Sequence, residues 1–154
     1  MANTYTQIYV QLVFTVKNKS CLINESFREE VQKYINGIIV GKNCKLYAIY
    51  ANPDHVHILI SIKPTTTISD LVRDIKACSA KFINERHFIP YRFQWQEGYG
   101  SFSYSQSQLT NVVHYILNQP EHHREKSFKE EYLHFLEKFH IDYDERYLFD
   151  WICL

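Results

Sequence analysis

Residues 5 to 16, YTQIYVQLVFTV, alternate so that Thr6, Ile8, Val10, Leu12, Phe14 and Val16 share one side of an extended chain, with Tyr5, Gln7, Tyr9, Gln11 and Val13 on the other. This two-residue period predicts a strand with one face for a core and a polar, aromatic face that meets solvent or carries a site. The period then lengthens. Phe27, Val31, Tyr34, Ile35 and Ile38 recur at three and four, which predicts a helix over 24–40 with either a Ser26 and Glu29 capping box or an Asn24 cap, and a stop at Gly41. A strand at 43–50 and another from His55 to Ile62 flank the turn residues Asn52, Pro53 and Asp54, so the two form an antiparallel hairpin. Pro64 and the threonines 65 to 67 start a second helix, with Ile68, Leu71, Val72, Ile75, Cys78, Ser79, Phe82 and Ile83 as its buried stripe to about Asn84. Past Pro90, the aromatic run Phe93 to Ser103 predicts a strand or irregular hairpin broken by Gly98 and Gly100. Helices over 106–118 and 127–139 follow, and the aromatic tail 141–154 is expected to dock on the body or on a second subunit.

Strand, helix, strand, strand, helix, strand is the alternation of an α+β, ferredoxin-like sandwich, a four-stranded antiparallel sheet with helices on one face. Val56, Ile58, Ile60 and Ile62 supply the greasy side of the hairpin, which sends His55 and His57 to the opposite face, where any catalytic site would lie.

The length of 154 residues suits one domain with a sizeable core, and an apolar fraction of 45% argues against disorder. No apolar run is long enough to suggest a membrane span, and nothing near the start reads as a secretion signal. Cys21, Cys44, Cys78 and Cys153 are scattered, as free thiols of a cytoplasmic protein would be. The net charge of zero conceals an asymmetry. Residues 1–120 carry 12 Lys or Arg against 8 Asp or Glu, whereas 121–154 carry 5 against 9, so a nucleic-acid face belongs to the earlier part.

His55 and His57, one residue apart on a strand, can converge on one divalent ion, although a pair of this kind is also compatible with ordinary surface or hydrogen-bonded roles. Tyr115 and Gln119 add to it. Four apart on a helix and its end, they face the same way, so an ion near the Gln119 amide oxygen would sit one turn from the phenol. Such an ion polarises a phosphate and lowers part of the cost, about 4 kcal/mol at neutral pH, of forming tyrosinate. With 12 tyrosines in the chain, packing is the competing role for Tyr115.

PDHVHILIS at 53–61, IKACSAKF at 75–82, WQEGYGSFSYS at 95–105 and YILNQPEHH at 115–123 together resemble the small single-tyrosine HUH transposases of bacterial insertion sequences, the TnpA-like group. The resemblance implies that His55, His57 and Gln119 hold Mg2+ or Mn2+ and that Tyr115 is the nucleophile. Cleavage of single-stranded DNA would leave a 5′-phosphotyrosine and a free 3′-hydroxyl, later rejoined to another end. It further implies hairpin-bearing DNA ends as partner and a homodimer, with active sites that can be shared between subunits.

Around this centre, Trp95, Tyr99 and Phe102 are candidates to stack unpaired bases, or are core or dimer packing. Arg73 and Lys76 are candidate phosphate contacts or solvated helix charges. His122 and His123 could position DNA, hold the catalytic helix or serve only as local hydrogen-bonding groups, and adjacent helical residues diverge too far for both to bind one ion. Asp54 could contact an ion-bound water or cap its turn. Three other readings remain compatible with the residues: a host-retained enzyme that processes repeats, a silent nucleic-acid-binding module, and a hydrolase that uses water.

Overall fold

A computed structural model describes residues 3–152; Cys153, the fourth of the expected free thiols, lies outside the described residues. Cys21 and Cys44 are buried and Cys78 is exposed, all three as free thiols. Strands β1 (Tyr9–Thr15), β2 (Lys45–Ala51), β3 (His55–Ser61) and β4 (Gly100–Tyr104) form one antiparallel sheet in the order β2-β3-β1-β4. Helices α1 (Glu25–Gly41) and α2 (Ile68–Glu85) join them in the ferredoxin-like alternation.

The local signals decide most element ends. Asn24, not Ser26, caps α1 by accepting from the Ser26 amide at 2.8 Å, and Thr67 caps α2 by accepting from Asp70 at 3.2 Å. Helix α1 ends at Gly41, as expected, with Lys42 as its C-cap; the left-handed residue after it is Asn43, with φ of 58°. The segment 93–103, expected as a strand or irregular hairpin, joins the sheet as a strand only at Gly100–Tyr104. A single bridge from Val16 to Trp95 precedes it, and Gly98, at φ 84°, turns the chain between them.

Both faces of the sheet are covered. Val10, Leu12 and Phe14 of β1 lie opposite Ile60, Ile58 and Val56 of β3, and this apolar face meets Val31, Ile35 and Ile39 of α1 and Leu71, Val72 and Ile75 of α2. The opposite face was expected to be open. Instead, α3 (Leu109–Leu117), the short α4 (Gln119–His122) and α5 (Phe128–Lys138) fold over it, which is why all seven residues of β1 are buried. Val112 and Ile116 of α3 seal Ala48 and Leu59, while Phe135 of α5 stacks on Phe102 and Phe139, just after α5, tilts against it, with centroids 4.9 and 5.0 Å away. Gly100 makes room for α5, since a Cβ there would come within 2.7 Å of the Tyr132 hydroxyl. Past α5, Phe149 and Trp151 pack on Tyr132 and Phe128, and the Gln96 amide brackets Asp150, donating to its carbonyl at 2.7 Å and accepting from its N–H at 2.8 Å.

Candidate active site

Strand periodicity puts His55, His57 and Leu59 on the face beneath α3 and α5, and the pairing of β1 with β3 brings Gln11 alongside them. His55 and His57 are fully enclosed. Their ring centroids lie 5.1 Å apart, and His123, just after α4, stands 4.7 Å from His55. Glu131 reaches this group from α5.

One carboxylate oxygen of Glu131, Oε1, lies 2.9 Å from His57 Nε2, 3.1 Å from His123 Nε2 and 3.3 Å from His55 Nε2. The far nitrogen of each ring is held by a group that can only accept: His55 Nδ1 donates to Asp54 Oδ1 at 2.6 Å, His57 Nδ1 to Gln11 Oε1 at 2.7 Å, and His123 Nδ1 to the Lys126 carbonyl at 2.8 Å. These three bonds fix the Nδ1–H tautomers, so three Nε2 lone pairs converge on one carboxylate. Lone pairs facing a carboxylate repel, and either a proton on a ring or a cation among the four groups relieves the repulsion. His55, His57, His123 and Glu131 have donor atoms within 4.8 Å of one another and can hold a divalent metal.

The charges follow from this crowding. Burial opposes protonation of His55, but hydrogen bonds and charge from Asp54 and Glu131 outweigh it and raise its pKa. Burial dominates at His57 and lowers its pKa despite the nearby carboxylate. For Glu131, burial alone would favour the neutral acid, but the imidazoles of His57, His123 and His55 keep it ionised well below the usual carboxylate range.

The second oxygen of Glu131 faces the tyrosine. Tyr115, on α3, donates its hydroxyl to Oε2, and the same hydroxyl lies 3.2 Å from His122 Nε2. Burial, followed by the Glu131 charge, holds the phenol above its ordinary pKa, with the Gln119 side chain opposing them. Gln119 is buried at the margin of the cluster. Its Nε2 donates to Glu131 Oε2 at 3.0 Å, and its Oε1 meets Asn52 Nδ2 at 3.1 Å and His123 Nε2 at 2.9 Å. Tyr115, His55, His57 and Gln119 thus meet in one chain, with the Tyr115 and His57 rings 6.0 Å apart.

The outer candidates separate. His122 and His123 divide as adjacent helical residues must, His122 toward the phenol and His123 into the imidazole cluster. Trp95 is buried between Phe14 and Phe93 and donates to Ser79 Oγ at 2.9 Å, and Phe102 is buried under α5; of the three proposed stacking residues, Tyr99 has an exposed ring. Arg73 is spent on Asp70 and Asp74, and Lys76 donates to the carbonyls of Gln96 and Gly98. Asp54 orients His55 by its carboxylate while its backbone carbonyl accepts from Thr15. Glu131, Gln11 and Asn52 are additions to the residues singled out from sequence. Glu131 carried a signal: it falls on the stripe of Phe128, Tyr132 and Phe135, where an acid has no reason to be unless something polar lies beneath.

The family described as "Transposase IS200 like" matches residues 4–119, well over half of the chain. The chain belongs to this family. The ISDra2 transposase TnpA of Deinococcus radiodurans is 23% identical over 122 residues, covering 73% of this chain and 84% of that protein. Among solved structures, a transposase from Deinococcus radiodurans R1 superposes with a TM-score of 0.61 at 20% identity, over 77% of this chain and 95% of that one. A REP-associated tyrosine transposase bound to a REP hairpin gives 0.59 at 15% identity, over 80% and 73%. As an IS200-like transposase, the chain is an enzyme that cleaves single-stranded DNA through a tyrosine. Its family match stops at residue 119, so His123 and Glu131 come from the part beyond it. Among the described residues, no helix is long and apolar enough to cross a membrane.

Proposed function

We propose that Tyr115 attacks a phosphodiester of single-stranded DNA, forming the bond from its phenolic oxygen to phosphorus as the bond to the 3′-oxygen breaks. The products are a 5′-phosphotyrosine and a free 3′-hydroxyl. Attack by another 3′-hydroxyl then releases Tyr115 and rejoins the strand, with no nucleotide cofactor, because the phosphotyrosine conserves the energy of the broken bond. One observation carries this reading: the hydroxyl of Tyr115 and the Nε2 atoms of His55, His57 and His123 converge on the same carboxylate.

A divalent ion held by these imidazoles, with Gln119 at their margin, would polarise the phosphate and offset charge in the transition state. Three nitrogen donors suit manganese better than magnesium, which prefers oxygen, so of the two ions we favour Mn2+. The chain's own residues do the positioning. Asp54, Gln11 and the Lys126 carbonyl lock the rings, and the Tyr115 cleft, about 360 Å3, is lined by Lys126, Lys138, His134, Gln108 and Asn111, which offer cations to phosphates and amides to bases. The hairpin-bound relative supports a hairpin near each DNA end as the feature recognised, and a homodimer would let two ends be joined in one complex.

The test is covalent capture. With Mn2+, the protein is expected to retain a single strand from its own element's end at Tyr115, and Tyr115→Phe to lose that adduct while still binding the hairpin. An unchanged adduct in the phenylalanine variant would assign the nucleophile elsewhere.

A further inference from the structure

The two oxygens of Glu131 face different groups, and this division is what the family match does not reach. Oε1 is surrounded by the three Nε2 atoms at 2.9 to 3.3 Å, whereas Oε2 takes the Tyr115 hydroxyl and the Gln119 amide. The side chain is buried and leaves a helix whose neighbouring residues on that stripe, Phe128, Tyr132 and Phe135, are packed in place. The packing of α5 therefore fixes where this side chain enters the site.

We propose that Glu131 is a bridging carboxylate: through Oε1 it is a fourth metal ligand beside His55, His57 and His123, and through Oε2 it holds the Tyr115 hydroxyl at a fixed place relative to the ion. This deepens the reading above and rests on it for the role of Tyr115, but not for the ligation. Helix α5 is then part of the active site. A negatively charged ligand also suits the donor set, since three neutral imidazoles alone leave both charges of a divalent ion uncompensated in a buried place. The second role follows from geometry: a carboxylate anchored to the ion by one oxygen leaves its other oxygen about one hydrogen bond from a phenol that must meet a phosphate on that same ion.

Three measurements on the full chain test it. Titration with Mn2+ alone should show Glu131→Gln binding about tenfold to a hundredfold more weakly than the parent, the range for losing a group that supports a metal site. Glu131→Asp keeps the charge but shortens the reach, so it should retain more of the Mn2+ affinity than Glu131→Gln while its rate of adduct formation at saturating Mn2+ still falls at least tenfold. In the parent, labelled at its glutamate carboxylate carbons with 13C, Mn2+ should broaden the Glu131 signal away; this needs no variant to fold. A Glu131 signal that survives saturating Mn2+, or Glu131→Gln binding the ion like the parent, overturns the ligation. A Glu131 variant that forms adduct as fast as or faster than the parent overturns the positioning role and makes the carboxylate an obstruction. If the DNA reading itself fails, the parent forms no adduct at all, while the Mn2+ measurements still decide the ligation.

Discussion

Strand β3 shows two sides to two different halves of the chain. Val56, Ile58 and Ile60 face α1 and α2, elements interleaved with the strands, and belong to the main apolar core. His55, His57 and Leu59 face α3 to α5, which arrive after the sheet is complete; Leu59 meets Ala48, Val112 and Ile116, whereas the two imidazoles lie among polar groups with Phe128 and Phe135 beside them. One face needs nothing but volume and greasiness, and many residues could supply it. The other needs particular atoms: Asp54, Gln11 and Lys126 to set three tautomers, and Glu131 to complete with the three Nε2 lone pairs a donor set for a cation. The first face stabilises the fold, whereas the second holds buried polar groups that are satisfied within it but gain most from a cation.

The sharpest way to break this contrast is to cut each face in turn. Ile58→Ala should cost about 2–5 kcal/mol of stability, because Ile58 is wholly buried in the main core and the space left cannot fully collapse. Urea unfolding reads the loss, and the fraction still folded should bind Mn2+ as the parent does. A change in Mn2+ affinity would show that the two faces are coupled through the strand.

A smaller effect is expected from the other face. In the parent, Mn2+ at a hundred times its Kd should raise stability by about 2.7 kcal/mol, by mass action on the folded state. His57→Ala should lose most of that increment. Its stability without added metal should fall by about 1–3 kcal/mol, the cost of leaving the buried Gln11 amide oxygen without its His57 donor. Thermal unfolding with and without Mn2+ separates the two numbers. A variant that keeps the full Mn2+ increment would remove His57 from the ligand set.

The two faces were also unequally legible. Period two places His55 and His57 together on one side of a strand, and a spacing of four places Tyr115 beside Gln119, so those four side chains could be read from local geometry. Which helices would cover the site could not, because docking of α3 and α5 on the sheet depends on contacts such as Phe102 with Phe135 and Gly100 with Tyr132, far apart in the chain. Gln11 meets His57 only through the register of β1 on β3, and Glu131 meets the imidazoles only once α5 is docked. The aromatic segment 93–103, expected as a strand or an irregular hairpin, became a strand only from Gly100 onward. Trp95 packs inward on Phe14, Phe93 and the Ser79 hydroxyl while its backbone still bridges Val16, and the break comes at Gly98, whose φ of 84° interrupts the pairing before Gly100 resumes it.

The smallest expected effect concerns a charge on the apolar side. Lys76, on α2, donates to the carbonyls of Gln96 and Gly98 at 2.8 and 2.5 Å, and its ammonium lies 5.3 Å from the centroid of Phe14. Burial pushes its pKa down to about 8, with Glu97 opposing only in part. The sign follows from proton counting: between about pH 8 and the ordinary lysine value near 10.5, the unfolded chain binds more protons at this position than the folded one. Rising pH across that window therefore favours the fold, and below it the penalty is constant. Relative to Lys76→Met, the parent should gain stability between pH 8 and 10, seen as a narrowing or reversal of the difference in urea midpoint. A difference that does not move with pH would mean that the two carbonyls and the Phe14 ring fully compensate the buried ammonium. In that case the apolar face, like the site face, would carry a charge with all its partners supplied.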